Sequence, residues 1–252
     1  MFTRAGRDEI RAALVQRARE DPAVVGAALV GSAARDAEDE WSDIDLALQL
    51  AADANERTLA DAWTGHLSKL SAVADTFDIF ASGVRYRVHL LESSLQVDVS
   101  FWPRDQFRAT GAPFRLLFGT AGNPEKARHP DLKGTVGMGW LCALHARSAI
   151  ARGKVWQAAM MLDRLRDELV TLMCIRSGLP YWEGRGADEL SSHDRSNLEL
   201  SRAVRVSHSA LDASRCTLVR LFLDEVSRLD GAHAARLQPA FEQLSTPLPT
   251  AQ

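Results

Sequence analysis

Cysteine is scarce in this chain. Cys142, Cys174 and Cys216 are the only three in 252 residues, odd in number and far apart. Such spacing supports neither a disulfide framework nor a cysteine zinc site, and it points to a reducing compartment. Long apolar runs are missing as well: none approaches the ~20 residues of a membrane helix. Hydrophobic residues make up 46% and charged ones 25%, as in an ordinary globular protein. Met1 to Arg19 is charged and lacks the apolar segment of a signal peptide. A cytoplasmic protein without a membrane partner is expected. There are no repeats and no low-complexity tract. A net charge of -3 gives a long nucleic acid little to bind. The charge is uneven: residues 1–110 hold 12 Lys/Arg against 18 Asp/Glu, and the remainder 18 against 15. The basic half has cations to offer a triphosphate, although most single charges are solvated faces.

The informative stretch runs from Val24 to Leu50. The apolar run Val24 to Val30 reads as a strand and delivers Gly31-Ser32. A polar connection follows, with Ser32 to Ala37 as a short helix. Asp43-Ile44-Asp45 then opens a second strand, Ile44 to Leu50. Strand residues alternate faces, so Asp43 and Asp45 point one way and Ile44 the other, to the core. Two carboxylates on one face suit a hard divalent cation such as Mg2+, which takes oxygen ligands. Gly31-Ser32 offers close backbone approach, helix-start amides and a hydroxyl to a phosphate.

This arrangement resembles the nucleotidyltransferase superfamily of the DNA polymerase beta type. Gly31, Ser32, Ala34, Arg35, Ser42, Asp43, Asp45 and Leu46 match its pattern in order and spacing, while Asp36 replaces a usual glycine, so the turn after Arg35 is expected to differ. Further on, Thr76 to Ala81, Tyr86 to Leu91 and Leu95 to Phe101 read as strands, after a helix over Asp53 to Leu70. In the last strand Gln96, Asp98 and Ser100 share a polar face that cannot face the core. The resemblance places its third carboxylate on such a strand, and Asp98 fits it.

The fold class expected is α+β: a mixed-sheet nucleotidyltransferase domain over residues 1–130, then a helical bundle over 131–252. Arg7 to Arg19 reads as an amphipathic first helix. Thr110 to Gly139, dense in Gly and Pro, reads as an apolar island, Phe114 to Phe118, plus a connection. Helices are expected over Gly139 to Arg152, Val155 to Ser177, Arg195 to Ala213, Ser214 to Leu229 and Ala232 to Leu244, with a frayed tail. In the second of these, Leu162, Leu165, Leu169 and Leu172 form the packing stripe. Glu168 and Arg164 sit at its edge, and Asp163 and Asp167 lie nearly opposite. Tyr181 to Asp194 reads as a polar loop.

A catalytic domain followed by a helical bundle is similar to the antibiotic nucleotidyltransferases, of the aminoglycoside and lincosamide kind. Gly153-Lys154-x-Trp156-x-Ala158-Ala159 looks like a helix opening in several of them. The resemblance implies transfer of AMP from ATP, or another NMP from its NTP, to a small-molecule hydroxyl. Two Mg2+ ions would be held by Asp43 and Asp45, with Asp98 on one of them. Gly31 and Ser32 would hold the terminal phosphates, and Arg35, Lys154 or Arg164 would add positive charge. Asp98 or Glu168 would be the general base. A cationic acceptor needs carboxylates and a flat surface, which Tyr181, Trp182, Glu183, Asp188 and Glu189 could supply; the alternative is a plain connection with Trp182 tucked into the bundle. A monomer or homodimer is expected. The competing readings are an enzyme acting on a protein or RNA, of the antitoxin kind, and a non-catalytic nucleotide-binding module.

Overall fold

In a computed structural model of the chain, residues 1–110, 113–125 and 130–249 are described. The chain divides into two compact units, Met1–Arg128 and His129–Gln252. The first is a mixed sheet with helices and the second is helical, so the α+β reading holds.

In the first unit, helix α1 (Arg4–Glu20) begins at Thr3, whose hydroxyl accepts from the Gly6 amide at 3.1 Å. Strands β1 (Val24–Val30) and β2 (Ile44–Leu50) follow, then helix α2 (Glu56–Leu70). Strands β3 (Val73–Ala81), β4 (Val84–Leu91), β5 (Gln96–Trp102) and β6 (Phe114–Phe118) complete the sheet. Its order is β3-β4-β5-β2-β1-β6. β2 and β5 pair in parallel and the other neighbours are antiparallel.

The two faces of the sheet have different fates. Leu46, Leu48, Val97, Val99 and Phe101 meet Leu14 of α1 and Trp63 and Leu67 of α2 in one core. On the other face a smaller cluster forms from Ala28, Ala47, Val84, Trp102 and Phe107. This second cluster corrects the expectation of an open polar face along β5. Ser100 is buried there and accepts a 2.9 Å hydrogen bond from the Trp102 indole N–H. Only the start of that face, at Gln96 and Asp98, stays accessible.

The second unit holds α3 (Leu132–Ala151), α4 (Val155–Ser177), α5 (Ser192–Leu200), α6 (His208–Leu229) and α7 (Gly231–Ser245) around one apolar core. α3 starts seven residues earlier than expected, because the Asp131 carboxylate caps it by accepting from the Gly134 amide at 2.8 Å. Gly139, read in the sequence as connection, is a packing position: a Cβ there would stand 2.1 Å from the Phe222 ring. The expected helices over Arg195 to Ala213 and Ser214 to Leu229 are instead a short α5 and a long α6. The break comes at Ser201, whose carbonyl accepts from Ser214 Oγ at 2.6 Å and from Arg166 at 3.2 Å. Parts of the expected connection (111–112 and 126–129) and of the expected tail (250–252) lie outside the described residues. Among the described residues no helix is long and apolar enough to cross a membrane.

Candidate active site

The site is built at the exit of β1 and the entry of β2. Gly31 has φ +63°, and a Cβ there would stand 2.1 Å from Asp45 Oδ2. Only a residue without a Cβ lets that carboxylate lie against the backbone. Ser32 follows in right-handed helical conformation and opens the single turn Ala33–Arg35. Its carbonyl accepts from the amides of Arg35 at 3.1 Å and Ala37 at 3.2 Å. Arg35 closes the turn and is exposed. The next residue, Asp36, sits at φ +54°, ψ +32°. Glycine takes this left-handed conformation freely and aspartate is among the few others that tolerate it, so the turn survives the replacement. The Asp36 carboxylate also pairs with Arg115 of β6.

Asp45 and Asp98 are register partners across the parallel β2–β5 pair, and so share one face of the sheet. Asp43 stands just before β2, close enough for its charge to act on Asp98. Burial pushes the Asp98 carboxyl up to about 6, against a lowering by the Gln96 amide, and the Asp43 charge adds to the rise. The Gln96 amide donates to both Asp98 oxygens at 3.2 Å. Among the described residues no group of three or more His, Cys, Asp or Glu is disposed to hold a metal ion as the side chains lie. The donor chemistry nonetheless suits a hard divalent cation: all-oxygen carboxylates, with the Asp45 group against an unobstructed glycine backbone.

Residues 8–121 match the family described as the nucleotidyltransferase domain. The chain carries a nucleotidyltransferase domain. Over those residues the match supports nucleotidyl transfer. No curated protein matches the sequence. Among solved structures, the chain is similar to an aminoglycoside 6-adenyltransferase from Bacillus subtilis, at 13% identity, with 94% of this chain and 98% of that chain covered and a TM-score of 0.43. It is also similar to a nucleotidyltransferase-like protein from Exiguobacterium sibiricum, at 13% identity, 91% and 78% coverage and a TM-score of 0.38.

The nucleotidyltransferase domain brings together Gly31, Ser32, Asp43, Asp45 and Asp98, with Arg35 one turn on. Lys154, Arg164 and Glu168 belong to the second unit. Lys154 occupies the N-cap position of α4 without a side-chain capping bond, and it and Arg164 are exposed. Glu168 is half-buried; its carboxyl is raised by burial and then by the Asp167 charge. Asp163 and Asp167 are exposed, as their position opposite the stripe requires. Trp182 is 69% exposed rather than tucked into the bundle. Beside it Glu183 sits at φ +53° and pairs with Arg185 at 3.3 Å.

Sequence reasoning missed the residues that shape the connection into Asp43. Arg7 of α1 is fully buried and donates to the carbonyls of Asp39 at 2.5 Å and Ser42 at 3.2 Å. Asp39 accepts from the Trp41 amide and the Ser42 hydroxyl, both at 2.9 Å, and the Ser42 bond is the main reason its carboxyl is lowered. A signal was present. Arg7, Ile10, Leu14 and Ala18 follow helical spacing, so an arginine lies in the apolar stripe of α1.

Proposed function

We propose that the protein transfers a nucleoside monophosphate, AMP from ATP, to a hydroxyl of a small cationic acceptor of the aminoglycoside or lincosamide kind. The observation that carries this reading is the Asp45–Asp98 register pair, with Gly31 backbone against the Asp45 carboxylate. The chain's task is to bind, orient and neutralise, because phosphoryl-type transfers need little covalent work from the protein.

Asp43, Asp45 and Asp98 would hold Mg2+, two ions with Asp98 on one of them; the metal, when bound, neutralises the phosphates and lowers the pKa of the attacking hydroxyl. Gly31 and Ser32 receive the terminal phosphates at the end of β1, where main-chain amides and a hydroxyl are available. Arg35, one turn further, adds positive charge. Asp98 takes the acceptor's proton. Glu168 is the second candidate base, and Lys154 and Arg164 second candidates for phosphate charge. The catalytic part is residues 1–130 and the helical part 131–252, in a cytoplasmic monomer or homodimer.

The test is a panel incubation of the protein with Mg2+, each NTP and a library of hydroxyl-bearing antibiotics, read by mass. One acceptor is expected to gain the mass of a nucleoside monophosphate, ATP being the donor, with pyrophosphate released. No adduct and no pyrophosphate with any NTP would sink the reading.

A further inference from the structure

We propose that Arg7 is the positioning residue of this site: it fixes the connection between the short turn after β1 and the start of β2, and through it the place of Asp43. Its link to turnover rests on the transfer activity proposed above; its structural part stands without it.

Arg7 lies on the inward face of α1 and is 0% exposed. Its Nη1–H donates to two carbonyls of the connection, Asp39 at 2.5 Å and Ser42 at 3.2 Å. The second of these belongs to the residue immediately before Asp43. The remaining donors face acids: Nε and Nη2 each lie 3.4 Å from Asp8 Oδ1, and Nε lies 3.6 Å from Glu38 Oε1. Arg11, one turn along, pairs with Glu38 and, at 3.0 Å, with Asp8. The connection is therefore held from α1 at Glu38, Asp39 and Ser42. At its upstream end the left-handed Asp36 is held by Arg115 of β6.

Two physical arguments turn this contact into a role. First, a buried guanidinium is a poor stabiliser: an apolar side chain of similar volume in the same stripe is often as good or better for folding. Packing alone does not account for an arginine there. Second, a planar fork of fixed donors sets the separation and direction of the carbonyls it binds, which a flexible point charge does not. A carbonyl fixed one residue before Asp43 fixes where that carboxylate enters the strand. Misplacement by about 1 Å costs on the order of 100-fold in rate in a preorganised site.

The experiment compares wild type with Arg7→Met, Arg7→Lys and Arg7→Ala in the full chain. Amide hydrogen exchange and nucleotide transfer are both measured. Exchange of the amides from Glu38 to Asp43 is expected to accelerate by on the order of tenfold or more, while β1 and β6 keep their protection. Turnover should fall about 10–100-fold, as for other residues that orient a ligand-bearing group, with the NTP KM unchanged. In Arg7→Ala, guanidinium well below its denaturing range should slow the exchange again and recover turnover; ammonium should do neither. The proposal is overturned if a folded variant keeps wild-type exchange in the connection. Protection lost equally across the sheet, rescue by ammonium as well as guanidinium, or failure of all three variants to fold would overturn it too, since each makes Arg7 an ordinary core residue. If the wild type itself transfers nothing, the function proposed above falls, and the exchange data still decide whether Arg7 holds the connection.

Discussion

The Asp45 carboxylate occupies the space that a side chain on residue 31 would need: a Cβ built on Gly31 lies 2.1 Å from Asp45 Oδ2. The glycine is also at φ +63°, where an L side chain costs roughly 1–2 kcal/mol. Gly31→Ala therefore strains the backbone and pushes the carboxylate away from its register partner Asp98. Transfer should drop by on the order of 100-fold or more, while the melting temperature falls by only a few degrees. A Gly31→Ala protein with near-normal turnover would show that Asp45 need not lie against this backbone.

Asp98 gives a prediction that needs no substrate. Its carboxyl is raised from 3.8 to about 6, chiefly by burial and further by Asp43. A raised folded-state pKa means that the protonated form is favoured in the native protein. The stability so gained is fully present below the unfolded pKa near 3.9 and is lost as pH rises to about 6. Asp98→Asn removes the charge without changing the shape. It should melt higher than wild type above pH 6, by about 1–3 kcal/mol in stability, with the gap closing toward pH 4. The same variant should lose transfer, the stability–activity opposition expected of a site that holds charges together. A gap that does not vary with pH would remove burial of a charged Asp98 from the account.

Much of the first unit was legible because its signals are local. A seven-residue apolar run, Gly31-Ser32, then Asp43-x-Asp45 and a second apolar run fix two strands and the acids between them. The β5 alternation identified Asp98 as a polar-face residue. It did not reveal that Ser100 is covered, by Trp102 at the end of the same strand and by Phe107 from the chain that follows it. Arg7 was read as one charge among many on an amphipathic helix; its partners are main-chain carbonyls 32 and 35 residues away, which no periodicity shows. In the second unit, Gly134, Gly137 and Gly139 lowered the helical signal of α3, and tertiary contact overrode propensity. The break between α5 and α6 depends on Arg166 and Ser214 holding the Ser201 carbonyl, again a non-local cause.

Gly139 tests that override directly. Alanine is the better helix former by about 1 kcal/mol, so propensity alone says Gly139→Ala stabilises α3. Its Cβ would stand 2.1 Å from Phe222 Cζ, in a ring fully buried and stacked on Phe241 at 6.1 Å. Overpacking costs about 1–3 kcal/mol in such cores. Thermal melts should show a net loss of stability, reduced when Phe222→Leu is added. A stabilised Gly139→Ala would mean that the rings yield freely.

The acceptor proposed above makes the loop between α4 and α5 testable. Trp182 is 69% exposed, so burial in the bundle does not account for it. The backbone around it is held: the Gly186 amide donates to the Pro180 carbonyl at 2.9 Å, and Arg185 to the Trp182 carbonyl at 3.1 Å. An indole face on a fixed backbone, next to the Glu183 carboxylate, suits a ring bearing an amine: cation–π contact there contributes roughly 0.5–2 kcal/mol. Trp182→Ala should thus raise the acceptor KM severalfold, up to about 30-fold. Glu183→Gln should raise it in the same direction. Neither change should touch the NTP KM, and the melting temperature should hold because both side chains lie outside the core. A split between the two KM values separates acceptor contact from a structural role. If both KM values rise together, or neither moves, the acceptor binds elsewhere.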